Sequence, residues 1–189
     1  MSNETENDSW GDDYKSSEAS EIQLPLEEDG FYAGIIKYIK REGKPHSLFA
    51  LKVVDDPRND GRSTVKNLNN PTVLKNQGKE AGAGMAMREW KGAFLSAQVK
   101  DAEVLKTKNH DDRIALLDGK KVYFLFEPAV LLKDTEYGKV TFVTKEKYDA
   151  SKGDNGKRMK AYLAAGGAAA ALAPRGPKTD KKSDLTDLD

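Results

Sequence analysis

The residues from Gly30 to Val54, "GFYAGIIKYIKREGKPHSLFALKVV", constrain this chain most. β-branched and aromatic side chains crowd both ends of the stretch and the turn-like "EGKPHS" interrupts them, so it reads as a hairpin of two strands. Successive side chains of a strand point to opposite faces. In the second strand Phe49, Leu51 and Val53 therefore face a core, while Lys52 lies on the other side with Leu48 and Ala50. In the first, Tyr32, Gly34, Ile36 and Tyr38 form one row and Phe31, Ala33, Ile35, Lys37 and Ile39 the other. Both rows are fairly apolar, as in a strand covered on both sides or bent by a bulge at Gly34, and the pattern leaves open which is buried.

Pro57 and Asp60-Gly61 then supply turn chemistry ahead of a short basic strand, Arg62 to Leu68. Within "AGAGMAMREWKGAFLSAQVK" the period changes: Met87, Trp90, Phe94 and Gln98 recur every three or four residues, as on one face of a helix. The glycines of "GKEAGAG" read as a loose helix entry, and "DAEVLKTKNHDDRIALL" as a mixed connector. Two further strands, "DGKKVYFLFEP" and "YGKVTFVTKEKY", each follow a Gly-Lys turn; Val122, Phe124 and Phe126 alternate with Tyr123 and Leu125. Three strands, a helix and two strands predict a mainly β fold, a five-stranded OB-fold barrel with its helix between strands 3 and 4. Barrels of this kind bind oligonucleotides across strands two and three.

The chain of 189 residues has room for one such domain and additional segments. Residues 1–21 are acidic and nearly free of apolar groups, a composition that predicts disorder. Residues 22–150 are expected to form the domain. Residues 151–182 read as a basic Gly/Ala/Pro-rich linker with a short helix at Lys157 to Ala165, and residues 183–189 as an acidic tip. The formal net charge of zero hides segregation: residues 1–29 hold ten acids against one lysine, and residues 151–182 eight bases against two acids. A basic body between acidic ends can attract polyanions at zero net charge.

Several function classes lack the residues they need. There is no cysteine, so disulfides and thiolate metal sites are excluded, which suits a reducing cytoplasm. The first ten residues have no apolar core, so no secretory signal is expected, and no run approaches the ~18 apolar residues of a membrane span. Only His46 and His110 are available for imidazole chemistry, and the common metalloprotease, hydrolase and phosphate-loop motifs are missing. Asp55 with Asp56, Asp111 with Asp112, and His46 all read as solvated turn residues. The expectation is a non-enzymatic protein without cofactor or metal.

Binding of single strands needs cations to follow phosphates and rings to stack bases. Tyr32, Lys37, Tyr38, Lys40, Arg41, Lys44, Phe49, Lys52, Arg58, Arg62 and Lys66 interleave both types. Phe49 falls in the inward row, so the candidate site residues are Lys37, Tyr38, Lys40, Arg41, Lys52, Arg58, Arg62 and Lys66.

The entry "LPLEEDGFYAGIIKYIK", the helix around "MREWKGAFL", the strand "LLDGKKVYFLF" and the acidic tip together resemble the single-stranded-DNA-binding proteins of bacteriophages. The likeness covers roughly residues 22–150 and the tip, and is one of pattern and layout. It implies an OB-fold that coats single-stranded DNA sequence-tolerantly during replication or recombination, in the host cytoplasm. It also implies a tail, here Asp184, Leu185, Asp187, Leu188 and Asp189, that recruits replication or recombination proteins or competes with DNA for the groove. Such tails often end in an aromatic residue, whereas this sequence reads Leu188-Asp189. The alternative reading is a non-enzymatic phage structural or replication-accessory interaction protein.

Overall fold

The computed structural model describes residues 24–41, 46–132 and 137–166. The expectations for residues 1–21, Lys44, the linker beyond residue 166 and the tip residues Asp184 to Asp189 lie outside them.

Five antiparallel strands form a nearly closed barrel: β1 Gly30–Ile39, β2 His46–Val54, β3 Ser63–Asn69, β4 Lys121–Glu127 and β5 Lys139–Phe142, in the order β3-β2-β1-β4-β5. Between β3 and β4 come α1 Pro71–Asn76, α2 Glu80–Ser96, α3 Asp101–Val104 and α4 His110–Leu117. After β5 follow α5 Lys145–Ser151 and α6 Lys157–Ala164. This is the expected OB-type arrangement, with the main helix α2 between strands 3 and 4.

The first strand's two rows are now distinguished. Tyr32 and Ile36 are fully buried with Phe49, Leu51, Val53, Val122 and Phe124, so the even-numbered row of β1 lines the barrel interior. No bulge interrupts Gly34, because the register runs unbroken from Ala33↔Val54 to Ile39↔Leu48. Glycine is needed there for close approach: a Cβ would lie 2.8 Å from the Lys52 carbonyl oxygen and 3.0 Å from the Phe124 ring. The outer row is apolar at its start because it too is covered. Ala33 and Tyr123 pack with Val143 and Tyr148, with Phe31, Val54 and Leu125 beside them, and α5 lays the Tyr148 ring 5.0 Å from that of Tyr123.

One mouth of the barrel is closed by α2 and α4. Trp90, Ala93 and Phe94 of α2 and Ile114 and Leu117 of α4 join the interior cluster. Trp90 packs edge-on at 6.0 Å from Phe49 and donates its indole N–H to the Asn69 carbonyl. The buried face of α2 carries Trp90 and Phe94 as expected but not the other two residues of the pattern. Its small residues Ala83, Ala86 and Ala93 lie on the buried side, Met87 is exposed, and Gln98 lies past the helix end with φ 56°. Of the glycines expected to loosen the entry, Gly82 and Gly84 lie inside α2 and Gly78 precedes it in a turn, and the presumed connector contains α3 and α4.

The folded part continues past residue 150. Asn155 clasps Phe31 at both backbone groups, accepting from its N–H at 2.7 Å and donating to its carbonyl at 2.8 Å. The buried Asp29 accepts the Met159 N–H in the first turn of α6, and Arg158 pairs with Glu127. Residues 151–166 thus belong to the domain structurally, and the short helix expected at Lys157 is present.

Candidate nucleic-acid interface

Strand register decides which side chains share the outer face of the β1-β2-β3 sheet. Directly paired residues of antiparallel strands point to the same side. The outer rows are therefore Ile39, Leu48 and Asn67; Lys37, Ala50 and Val65; and Ile35, Lys52 and Ser63. At Ile35 the last row extends to Lys121 of β4. α5 covers the neighbouring part of the outer surface around Ala33 and Tyr123, whereas Val65 remains 56 % and Ile39 38 % exposed.

None of the nine positions on β1, β2 and β3 is acidic. Lys37 projects from the middle row, and Lys40 and Arg41 continue from the end of β1, all three exposed. Among the described residues no carboxylate pairs with them. Lys52 stands half-exposed in the adjacent row. Lys121, by contrast, bonds to Asp55, and that bond holds its ammonium above the ordinary lysine range. Asp55 and Lys121 mark the acidic-compensated edge of the face.

Three other predicted cations lie elsewhere. Lys66 shares the inward row of β3 with Leu68, opposite Phe49, and its ammonium lies 2.6 Å from Glu89 Oε1 of α2. Arg62 donates to the Pro25 carbonyl at 2.9 Å and lies 3.9 Å from Glu27. Arg58 lies in the β2-β3 turn, 3.6 Å from Glu28. These arginines sit where the β2-β3 connection meets the segment before β1, and the glutamates offset their field.

The predicted rings do not reach the open face. Tyr32 and Phe49 are fully buried, and burial pushes the Tyr32 hydroxyl up, assisted by Glu28. Tyr38 belongs to the inward row, half-buried, with its ring 5.6 Å from Phe49 and its N–H donated to Asp118. The open face is cationic and aliphatic. Residue typing missed Ser63, Val65 and Asn67, although alternation about Leu68 is the signal that places them outside and Lys66 inside.

The aspartate pairs are structural. Asp56 accepts from the Arg58 N–H, Asp112 accepts from the Lys108 N–H, and Asp111 lies in the first turn of α4. Among the described residues no cluster of three or more metal-ligating side chains occurs. Likewise, no helix among them is long and apolar enough to cross a membrane. His46 begins β2, and His110 bonds Ser47 Oγ at 2.8 Å through Nε2. No protein-family model matches the chain, and comparison with curated proteins returns no match.

Proposed function

We propose that this chain binds single-stranded DNA sequence-tolerantly across the outer face of β1, β2 and β3, in the manner of the phage single-strand binders it resembles. The observation that carries the reading is a partly exposed OB-type strand face, open at Lys37, Ile39, Val65 and Asn67, with no acid in its rows. Lys37 and Lys52 lie within it, and Lys40 and Arg41 beside it.

Phosphate contacts supply sequence-independent affinity by releasing counterions, and the aliphatic residues Ile39 and Val65 offer apolar contact. Cations, rather than ring stacking, carry this mode, because the nearby aromatics serve the core. Replication or recombination is the setting that the resemblance suggests.

The test is titration of fluorescein-labelled oligo-dT by anisotropy at several salt concentrations. Each phosphate neutralised on a single strand contributes about −0.7 to the slope of log affinity against log salt. Contacts from Lys37, Lys40, Arg41 and Lys52 together give a slope near −3, and absence of binding at low salt would overturn the proposal.

A second reading is a non-enzymatic phage structural or accessory protein that docks another protein on this face. The exposed Ile39 and Val65 favour it, since aliphatic side chains suit a protein partner as well as a base. Salt-insensitive or absent oligonucleotide binding would support this second reading.

A further inference from the structure

An apolar groove runs between α2 and the α3–α4 segment. It consists of two adjoining hollows of about 240 and 250 Å³ that share Met87, Trp90, Phe94, Val104 and Leu105. Met87 is 57 % and Leu105 84 % exposed, so both present large apolar surface to water. Isolated apolar residues on a surface are ordinary, but a concave group with a tryptophan in its floor has the form of a docking site. Lys91 and Arg113 add two cations to the lining, and Asp101 is its acid.

We infer that this groove receives residues 183–189, "SDLTDLD", of the same chain. Leu185 and Leu188 are three residues apart, the spacing that puts two side chains on one face of a helical turn. That face matches two hollows sharing one apolar wall. Asp184, Asp187 and Asp189 would meet Lys91 and Arg113 at the rim.

Length permits the contact. Leu185 lies nineteen positions beyond Gly166, the last described residue, a span of about 65 Å when extended. A domain of this size is roughly 35–40 Å across. Tethering raises the effective concentration of the tip to the order of millimolar. A tip that binds with a Kd of about 0.1 mM as a free peptide is then mostly docked in cis. An added peptide would bind the intact chain about tenfold more weakly than a chain whose own tip cannot dock. The inference does not depend on what the strand face binds.

Trp90 lies in the groove and reports its occupation. In a full-length Trp10→Phe chain Trp90 is the remaining indole, so its emission can be compared with and without Leu185→Ser and Leu188→Ser. The serine pair is expected to shift Trp90 emission, and added SDLTDLD peptide to reverse the shift with about tenfold higher affinity than for the intact tip. Met87→Glu with Leu105→Glu, both at exposed positions, should abolish the peptide response while thermal unfolding stays cooperative. Lys37→Ala, Lys40→Ala and Arg41→Ala together should leave it unchanged.

Equal Trp90 emission and equal peptide affinity with and without the leucines would overturn the proposal. Loss of the response in the lysine and arginine variant would do the same, by moving the tip to the strand face. Light scattering supplies a further outcome: a dimer that dissociates when the leucines are replaced would show exchange between copies and overturn docking in cis.

Discussion

Lys66 and Phe49 stand opposite each other on β3 and β2, on the inward side of the sheet, yet one is a fully buried ring and the other an ammonium bonded to Glu89. The lysine is drawn beneath the strands to the α2 surface, where its side chain is 18 % exposed. There it neutralises a carboxylate that would otherwise face the incompletely closed β3-β5 side of the barrel.

Lys66→Ala is accordingly expected to leave oligo-dT affinity within about twofold and to cost about 1 kcal/mol of stability, the scale of a partly exposed ion pair. Substituting Lys37, Lys40 and Arg41 together should do the reverse. It should reduce the salt slope by about 2 with little change in urea midpoint. Oligonucleotide anisotropy and urea unfolding on the same preparations separate the two outcomes. A lysine-66 variant with the larger binding defect would contradict the assigned faces.

Ser96 ends α2 fully buried, and its hydroxyl donates to the Tyr123 carbonyl while accepting from the Tyr123 N–H, each at 2.6 Å. The serine thus supplies the acceptor for the Tyr123 N–H, shares the Tyr123 carbonyl with the Val143 N–H, and ties the capping helix to the sheet. Ser96→Ala leaves a buried N–H without that acceptor, which costs about 1–3 kcal/mol. The urea midpoint should fall with an unchanged m-value. An unaltered midpoint would mean that another group takes up the Tyr123 N–H.

Why some of this was legible and some was not follows from the range of the forces involved. Strand alternation is local, so Phe49, Leu51 and Val53 could be assigned inward from sequence, and Val122, Phe124 and Phe126 could be grouped on one face. The same parity would have placed Lys66 with Leu68, but a basic residue in a basic strand invites reading by charge alone. The outer row of β1 could not be resolved locally, because Ala33 and Phe31 are covered by α5, more than a hundred residues away. Met87 illustrates the opposite failure. It fits the helical period, yet it is exposed, while the alanines at 83, 86 and 93 join Trp90 and Phe94 on the buried face and let α2 approach the barrel. The pairings of Arg58 and Arg62 with Glu28 and Glu27 likewise depend on tertiary proximity.

Asp29 and Asn155 hold the C-terminal helices to the start of β1. The Asp29 carboxylate accepts the Met159 N–H at 2.7 Å, satisfying one of the donors that a helix start leaves unpaired, and its own carbonyl accepts from Gly156. Asp29→Ala should release α6 selectively. Hydrogen exchange at residues 157–164 is expected to accelerate at least tenfold, with β2 and β4 amides unchanged. Asn155→Ala should extend the loss to the Phe31 amide, because that N–H would lose its acceptor. Uniform acceleration across the barrel in the Asp29 variant would show that α6 and the sheet unfold as one unit.

His110 makes stability depend on mildly acidic pH. Its imidazole lies against Trp90 at 5.2 Å, Nε2 bonds Ser47, and Nδ1 is buried without a hydrogen-bond partner. Burial holds its pKa below the ordinary histidine value; Arg113 acts in the same direction and Asp111 opposes them. The folded state therefore binds this proton less readily than the unfolded chain. Stability is fully present above the unfolded value near 6.5 and declines as pH falls from there toward the folded value. Urea midpoints measured from pH 7.5 to pH 5 should decrease, and His110→Gln should flatten that part of the profile whatever its effect at pH 7.5. An equally steep decline in the glutamine variant would assign the dependence to other groups.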